Sequence, residues 1–196
     1  MRSLPRKLSS DAELYAAALR ALMRRAHSTF ELRTYLERRS VESEAVRRVL
    51  SRLKQEKLLD DSRYAVDFAR VRATSRRQGA HRIVQELRKR GVPDRSIDDA
   101  IAQVFADIDE AAIVRKVIER RTRSARGRLD VDPFSAKKTA SLYRALYGAL
   151  LRAGFDGSII RRELNTIARN SEREAPDVAL ADDAPDEAQH DTRNER

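Results

Sequence analysis

The hydrophobic positions of this chain follow one pattern that is used three times. Leu32, Leu36, Val41, Val46, Leu50 and Leu53 stand at offsets 0, 4, 9, 14, 18 and 21. Ile83, Leu87, Val92, Ile97, Ile101 and Val104 keep those offsets, and so do Leu146, Leu150, Phe155, Ile160, Leu164 and Ile167. Steps of four hold residues on one helix face, whereas steps of five straddle a break. Ser40, Gly91 and Gly154 sit at the breaks. Each copy therefore reads as two helices joined by a tight turn, with Val41, Val92 or Phe155 plugging the turn. Three such copies predict a tandem array of one helical unit, an architecture that presents surfaces to other macromolecules.

A further helix precedes each pair. The first runs from a Ser10 N-cap to about His27, with Leu14, Ala17, Ala18, Ala21 and Leu22 as its buried stripe. Ser28 or Thr29 caps the next, through Arg38, and a third runs to about Glu56. In the second unit Asp60 or Asp61 caps a helix carrying Tyr64, Ala65, Phe68 and Val71 on one face. A helix from His81 to Arg90 follows and Gly91 stops it. Pro93 or Asp94 starts another, to about Phe105. The third unit opens near 107–110 with the stripe Ile113, Val114, Val117 and Ile118. Its helix pair comes 63 residues after the second, not 51. The surplus fits a loop at 122–134, before helices at about 135–153 and 156–169.

The prediction is thus an all-α, elongated and curved array of three three-helix, helix-turn-helix-like repeats: 10–59, 60–106 and 107–170. A disordered basic segment, 1–9, precedes it and a disordered acidic tail, 171–196, follows. Six buried side chains per unit cannot offset the ordering of about 50 residues, so the units must lean on one another.

Charge changes the picture. The chain carries 41 basic and 31 acidic residues, a net +10. The tail holds three of the former and nine of the latter, which leaves 38 against 22, a net +16, in 1–170. A field of that size favours a polyanion or an acidic protein, and the tail would compete for it. The candidate contacts form three clusters: Arg76, Arg77, His81, Arg82, Arg88, Lys89 and Arg90; then Arg115, Lys116, Arg120, Arg121, Arg123, Arg126 and Arg128; then Lys137 and Lys138. For any single arginine a solvated helix face is an equal reading.

Catalytic chemistry finds little support. There is no cysteine, and His27, His81 and His190 stand isolated, without metal-ligand spacing. No glycine-rich phosphate loop or GxSxG occurs. The pair Asp60-Asp61 is explained by helix capping. An enzyme, a cofactor and a metal are therefore not expected, nor is a membrane partner; the cytoplasm is the expected location. Helix-turn-helix DNA reading is the competing function. It fits poorly in the middle unit, whose would-be recognition helix bears Asp94, Asp98 and Asp99. It fits the third unit better, with Arg161 and Arg162. Phe30, Phe68 and Phe105 read as core, not as base-stacking platforms.

The segment Leu58-Leu59-Asp60-Asp61-Ser62-Arg63-Tyr64-Ala65, followed by Gly79, Ile83, Glu86, Leu87 and Arg90-Gly91-Val92, resembles the RecX family of regulatory proteins. Leu22, Arg25, Ser28, Glu31, Leu32 and Leu36 extend the resemblance into the first unit. Tyr64 stands where the family has Phe, and Ser40 stands where the middle unit has Gly91. The resemblance implies a regulatory protein, in keeping with the absence of catalytic motifs, and a monomer is expected. It would bind the RecA filament on DNA, in DNA repair, homologous recombination and the SOS response, and restrain ATPase and strand exchange. Contact with single- or double-stranded DNA would be weak and not sequence-specific. The family likeness does not single out contact residues; the basic clusters rest on charge and spacing alone.

Overall fold

The computed structural model describes residues 7–126 and 136–173, with side chains at 7–124, 140–167 and 169. Within them lie α1 (Asp11–Arg24), α2 (Thr29–Glu37), α3 (Ser43–Gln55), α4 (Asp61–Thr74), α5 (Ala80–Lys89), α6 (Asp94–Ala106), α7 (Glu110–Arg126), α8 (Ala136–Arg152) and α9 (Gly157–Arg173). All helix pairs in broad contact belong to one trio: α1–α3, α4–α6 or α7–α9. Each trio encloses its own apolar core. Fifteen of the eighteen patterned positions are buried, and Ile101 and Ile167 pack at core edges.

The exception is Val41, which is 63% exposed. The reason is the residue before it. Gly91 and Gly154 adopt φ of 66° and 89°. Their turns close with Val92 N–H to Leu87 O and Phe155 N–H to Leu150 O, both at 3.3 Å, which swings the next side chain into the core. Ser40 makes a different turn. Its Oγ donates to Glu42 O at 2.7 Å, and it pairs in a one-residue parallel bridge with Leu8. Leu8 packs on the first core, and Val41 does not. Residues 7–9, expected to be disordered, thus anchor the chain, and residues 1–6 lie outside the described part.

Other expectations shift as well. Val71 is 56% exposed, because the inner stripe of α4 is Tyr64, Ala65, Ala69 and Ala73. Phe30 is 46% exposed and lies on the backbone of Gly91, where an added Cβ would sit 2.5 Å from the Phe30 Cβ. The first helix stops at Arg24, short of His27. The expected loop at 122–134 begins later, since α7 continues to Arg126, and the helix of the third pair continues through 171–173. The rest of that loop and the tail from 174 lie outside the described residues.

The trios meet end to end through their second helices. At the first joint, Ser28 Oγ at the start of α2 donates to Arg90 O at the end of α5, at 2.5 Å. At the second, Gly79 N–H at the start of α5 donates to Ala153 O beyond α8, at 2.9 Å, and His81 N–H to Gly154 O at 3.2 Å. A carboxyl at the first residue of the following trio faces the neighbouring amide each time. Asp61 of α4 accepts from Thr29 N–H at 2.7 Å. The Glu110 carboxyl of α7 lies against the Ala80 amide, and burial, with Asp156 nearby, raises its pKa. Both joints therefore set a positive helix end on a negative one, with an acid beside it. In the first trio the equivalent carbonyl, Arg39 O, accepts from Leu8 N–H at 2.6 Å.

Two alanine substitutions should act with opposite sign. Gly91→Ala combines a left-handed φ with the contact to Phe30 and is expected to cost at least about 2 kcal/mol. Gly148→Ala, inside α8, meets only the mobile tip of Arg152 at 3.3 Å and is expected to stabilise by about 0.5–1 kcal/mol. Urea unfolding of both variants checks this, and equal effects would contradict the turn assignment.

Candidate interaction surface

The basic clusters divide into cations with partners and cations without. Arg82 bonds Glu86 at 3.1 Å and Arg152 O at 3.2 Å across the second joint. Arg88 pairs with Asp94 at 2.8 Å. Arg90 lies over the Phe68 ring at 4.8 Å, and Arg72 covers the same ring at 4.8 Å. Arg115 holds Glu163 at 3.0 Å, and Glu163 is buried. These side chains are already engaged within the protein.

Arg76, Arg77, Lys89, Lys116, Arg120, Arg121 and Arg123 are exposed and have no ion-pair partner among the described residues. Arg76 and Arg77 lie in the turn between α4 and α5, where Arg77 takes φ 52°. His81 is exposed at the start of α5, within electrostatic reach of Glu110 and Asp156. On α7, Val114, Val117 and Ile118 face inward. Lys116, Arg120 and Arg123 recur at i, i+4 and i+7 and therefore form one row on the opposite side. Among the described residues α5 and α7 are not in broad contact. The side chains of Arg126, Lys137 and Lys138, and all of Arg128, lie outside the described residues.

The family-motif residues are chiefly structural. Asp60 caps α4, accepting from Ser62 and Arg63 amides at 2.9 and 3.1 Å. Asp61 instead reaches the preceding trio, a role that the capping reading missed because no spacing rule points across 32 residues. Leu59, Tyr64, Ala65, Ile83 and Leu87 are buried. Arg63 is exposed and faces Asp67 at 3.9 Å. Gly79 passes so close to the third trio that a Cβ would sit 2.2 Å from Gly154 O. Glu31 was also missed as a junction. Burial opposes its charge, but Arg25, the Ser28 amide and Arg90 hold its pKa low, and it accepts from Tyr64 of the next trio at 3.4 Å.

Among the described residues no group of three His, Cys, Asp or Glu side chains is placed to hold a metal. No helix there is long and apolar enough to cross a membrane.

The fold and this surface define a tandem three-helix repeat protein with cationic outer faces. Residues 15–53 match the family model described as RecX, first three-helix domain, and residues 60–101 match RecX, second three-helix domain. A regulatory protein RecX of Halorhodospira halophila is 39% identical over 159 residues, covering 80% of this chain and 89% of the relative. That of Trichlorobacter lovleyi is 34% identical, over 79% and 95%. The crystal structure of RecX from Lactobacillus salivarius superposes with a TM-score of 0.67 at 20% identity, covering 81% and 97%, and so shares the fold. The chain belongs to the RecX family of regulatory proteins.

Proposed function

We propose that this protein binds the RecA nucleoprotein filament and restrains its ATPase, strand exchange and growth in DNA repair and recombination. The observation that carries this reading is the pair of like-built joints. They set three trios in a row at a repeated step, which suits a long partner with repeating sites better than a single compact ligand. The unpaired cations on α7 and in the α4–α5 turn add attraction to phosphate. The relatives' name, regulatory protein RecX, points the same way. An autonomous helix-turn-helix DNA reader is disfavoured by α6, the recognition position of the middle trio, whose Asp94, Asp98 and Asp99 are exposed. No active-site chemistry is invoked; the action is by contact.

RecA ATPase on single-stranded DNA, titrated with this protein, is expected to fall at or below one copy per RecA. No effect over that range would overturn the proposal. Replacing Lys116, Arg120 and Arg123 by Ala is expected to weaken single-stranded DNA binding. It should also lower the salt slope by up to about 2, at roughly 0.7 per phosphate contact. Anisotropy of a labelled oligonucleotide against salt reads this, and an unchanged slope would place the row away from phosphate.

A further inference from the structure

Each trio packs its first helix against its third, and two of the three lock that pair with arginine. Between α1 and α3, Arg48 holds Asp11 at 2.8 and 3.0 Å. Arg52 there lies over the Tyr15 ring at 4.0 Å. Between α7 and α9, Arg115 holds Glu163. The middle trio lacks the lock. Moved by the 51 residues that separate the first two copies of the pattern, Asp11, Tyr15, Arg48 and Arg52 become Ser62, Val66, Asp99 and Gln103. These four, with Arg63, Asp67, Ser96 and Ala100, line an open groove of about 330 Å³ between α4 and α6. A hydroxyl pair, Ser62 with Ser96 at 3.0 Å, is the polar link across it. Asp99 has no ion-pair partner among the described residues. Asp67 meets Arg63 only at 3.9 Å, with both side chains largely exposed.

We propose that this groove is a docking slot for an arginine or lysine side chain of a protein partner. The inference rests on the filament reading and deepens it: the middle trio engages the protein of the filament, not its DNA. The other two trios point to the occupant: there an arginine of this chain bridges the first and third helices. In the middle trio those positions carry Asp99 and Gln103, which supply an acceptor in place of the cation. Val66 and Ala100 offer an apolar floor for the aliphatic stem. Asp67 and Asp99 offer carboxylates on both walls for the charged head. Asp98 is exposed on the same helix and adds negative charge beside the groove, which disfavours phosphate.

This chemistry separates protein docking from DNA docking by sign. The double variant Asp67→Lys with Asp99→Lys makes the protein more basic, so its affinity for a labelled single-stranded oligonucleotide should rise several-fold at low salt. The dose for half-inhibition of RecA ATPase should nevertheless rise at least tenfold. The milder pair Asp67→Asn with Asp99→Asn, isosteric at exposed positions, should fall between and guards against a folding defect in the lysine variant. If inhibition by both variants is unchanged, or strengthens in step with DNA affinity, the slot is overturned while the filament reading stands. If the unaltered protein does not inhibit RecA, both are overturned together.

Discussion

A helix start resting on the C-terminal carbonyls of the next trio's second helix is the contact on which the arrangement depends. Each trio has its own core, and among the described residues no broad helix-on-helix packing joins one trio to the next. Relative placement therefore rests on narrow joints: polar bonds between groups that helix ends leave unsatisfied, and the Phe30 side chain against Gly91 at the first of them. Ser28 shows how much one side chain carries. It is fully buried. Its Oγ accepts from Glu31 N–H at 3.1 Å and donates to Arg90 O, while its own N–H bonds Glu31 Oε2 at 3.2 Å. Capping α2 and tying it to the second trio are thus one act. Glu31 extends the tie to Arg25 and Tyr64.

The same carbonyl position recurs at all three C-terminal ends: Arg39 O, Arg90 O and Ala153 O accept from Leu8, Ser28 and Gly79 respectively. Leu8 therefore makes at Arg39 O the contact that the start of a neighbouring second helix makes at each joint. At the other end α8 differs, being 17 residues long against 9 and 10 for α2 and α5.

The helical array was legible because apolar spacing is a local property, and the glycines at 91 and 154 marked the turns that close it. Val41 departs from the pattern because offset alone cannot tell a glycine turn from the serine turn at Ser40, nor reveal that Leu8 packs on the first core. Phe30 and Val71 were misread for the same reason: a hydrophobic side chain that satisfies a helix period can still face a neighbouring backbone or water. The joints were not legible at all, since Thr29 to Asp61 and Gly79 to Ala153 are long-range pairs without any periodic trace. The surface was legible as total charge but not as available charge. Arg82, Arg88 and Arg115 look free in sequence, yet Glu86, Asp94 and Glu163 engage them. The α4–α6 groove became visible only when equivalent positions in three trios were compared in space.

The central claim is that polar joints, not a shared core, hold the trios at a fixed step. The chain has no cysteine, so spin labels can be placed cleanly at Met23→Cys in the first trio and Val71→Cys in the second, both at exposed positions. Pulsed-dipolar distances should give one narrow distribution in the otherwise unaltered chain. With Ser28→Ala and Asp61→Ala added it should broaden while the helical circular dichroism persists. A distribution that is already broad before the joint is cut, or one that stays narrow afterwards, would contradict the account.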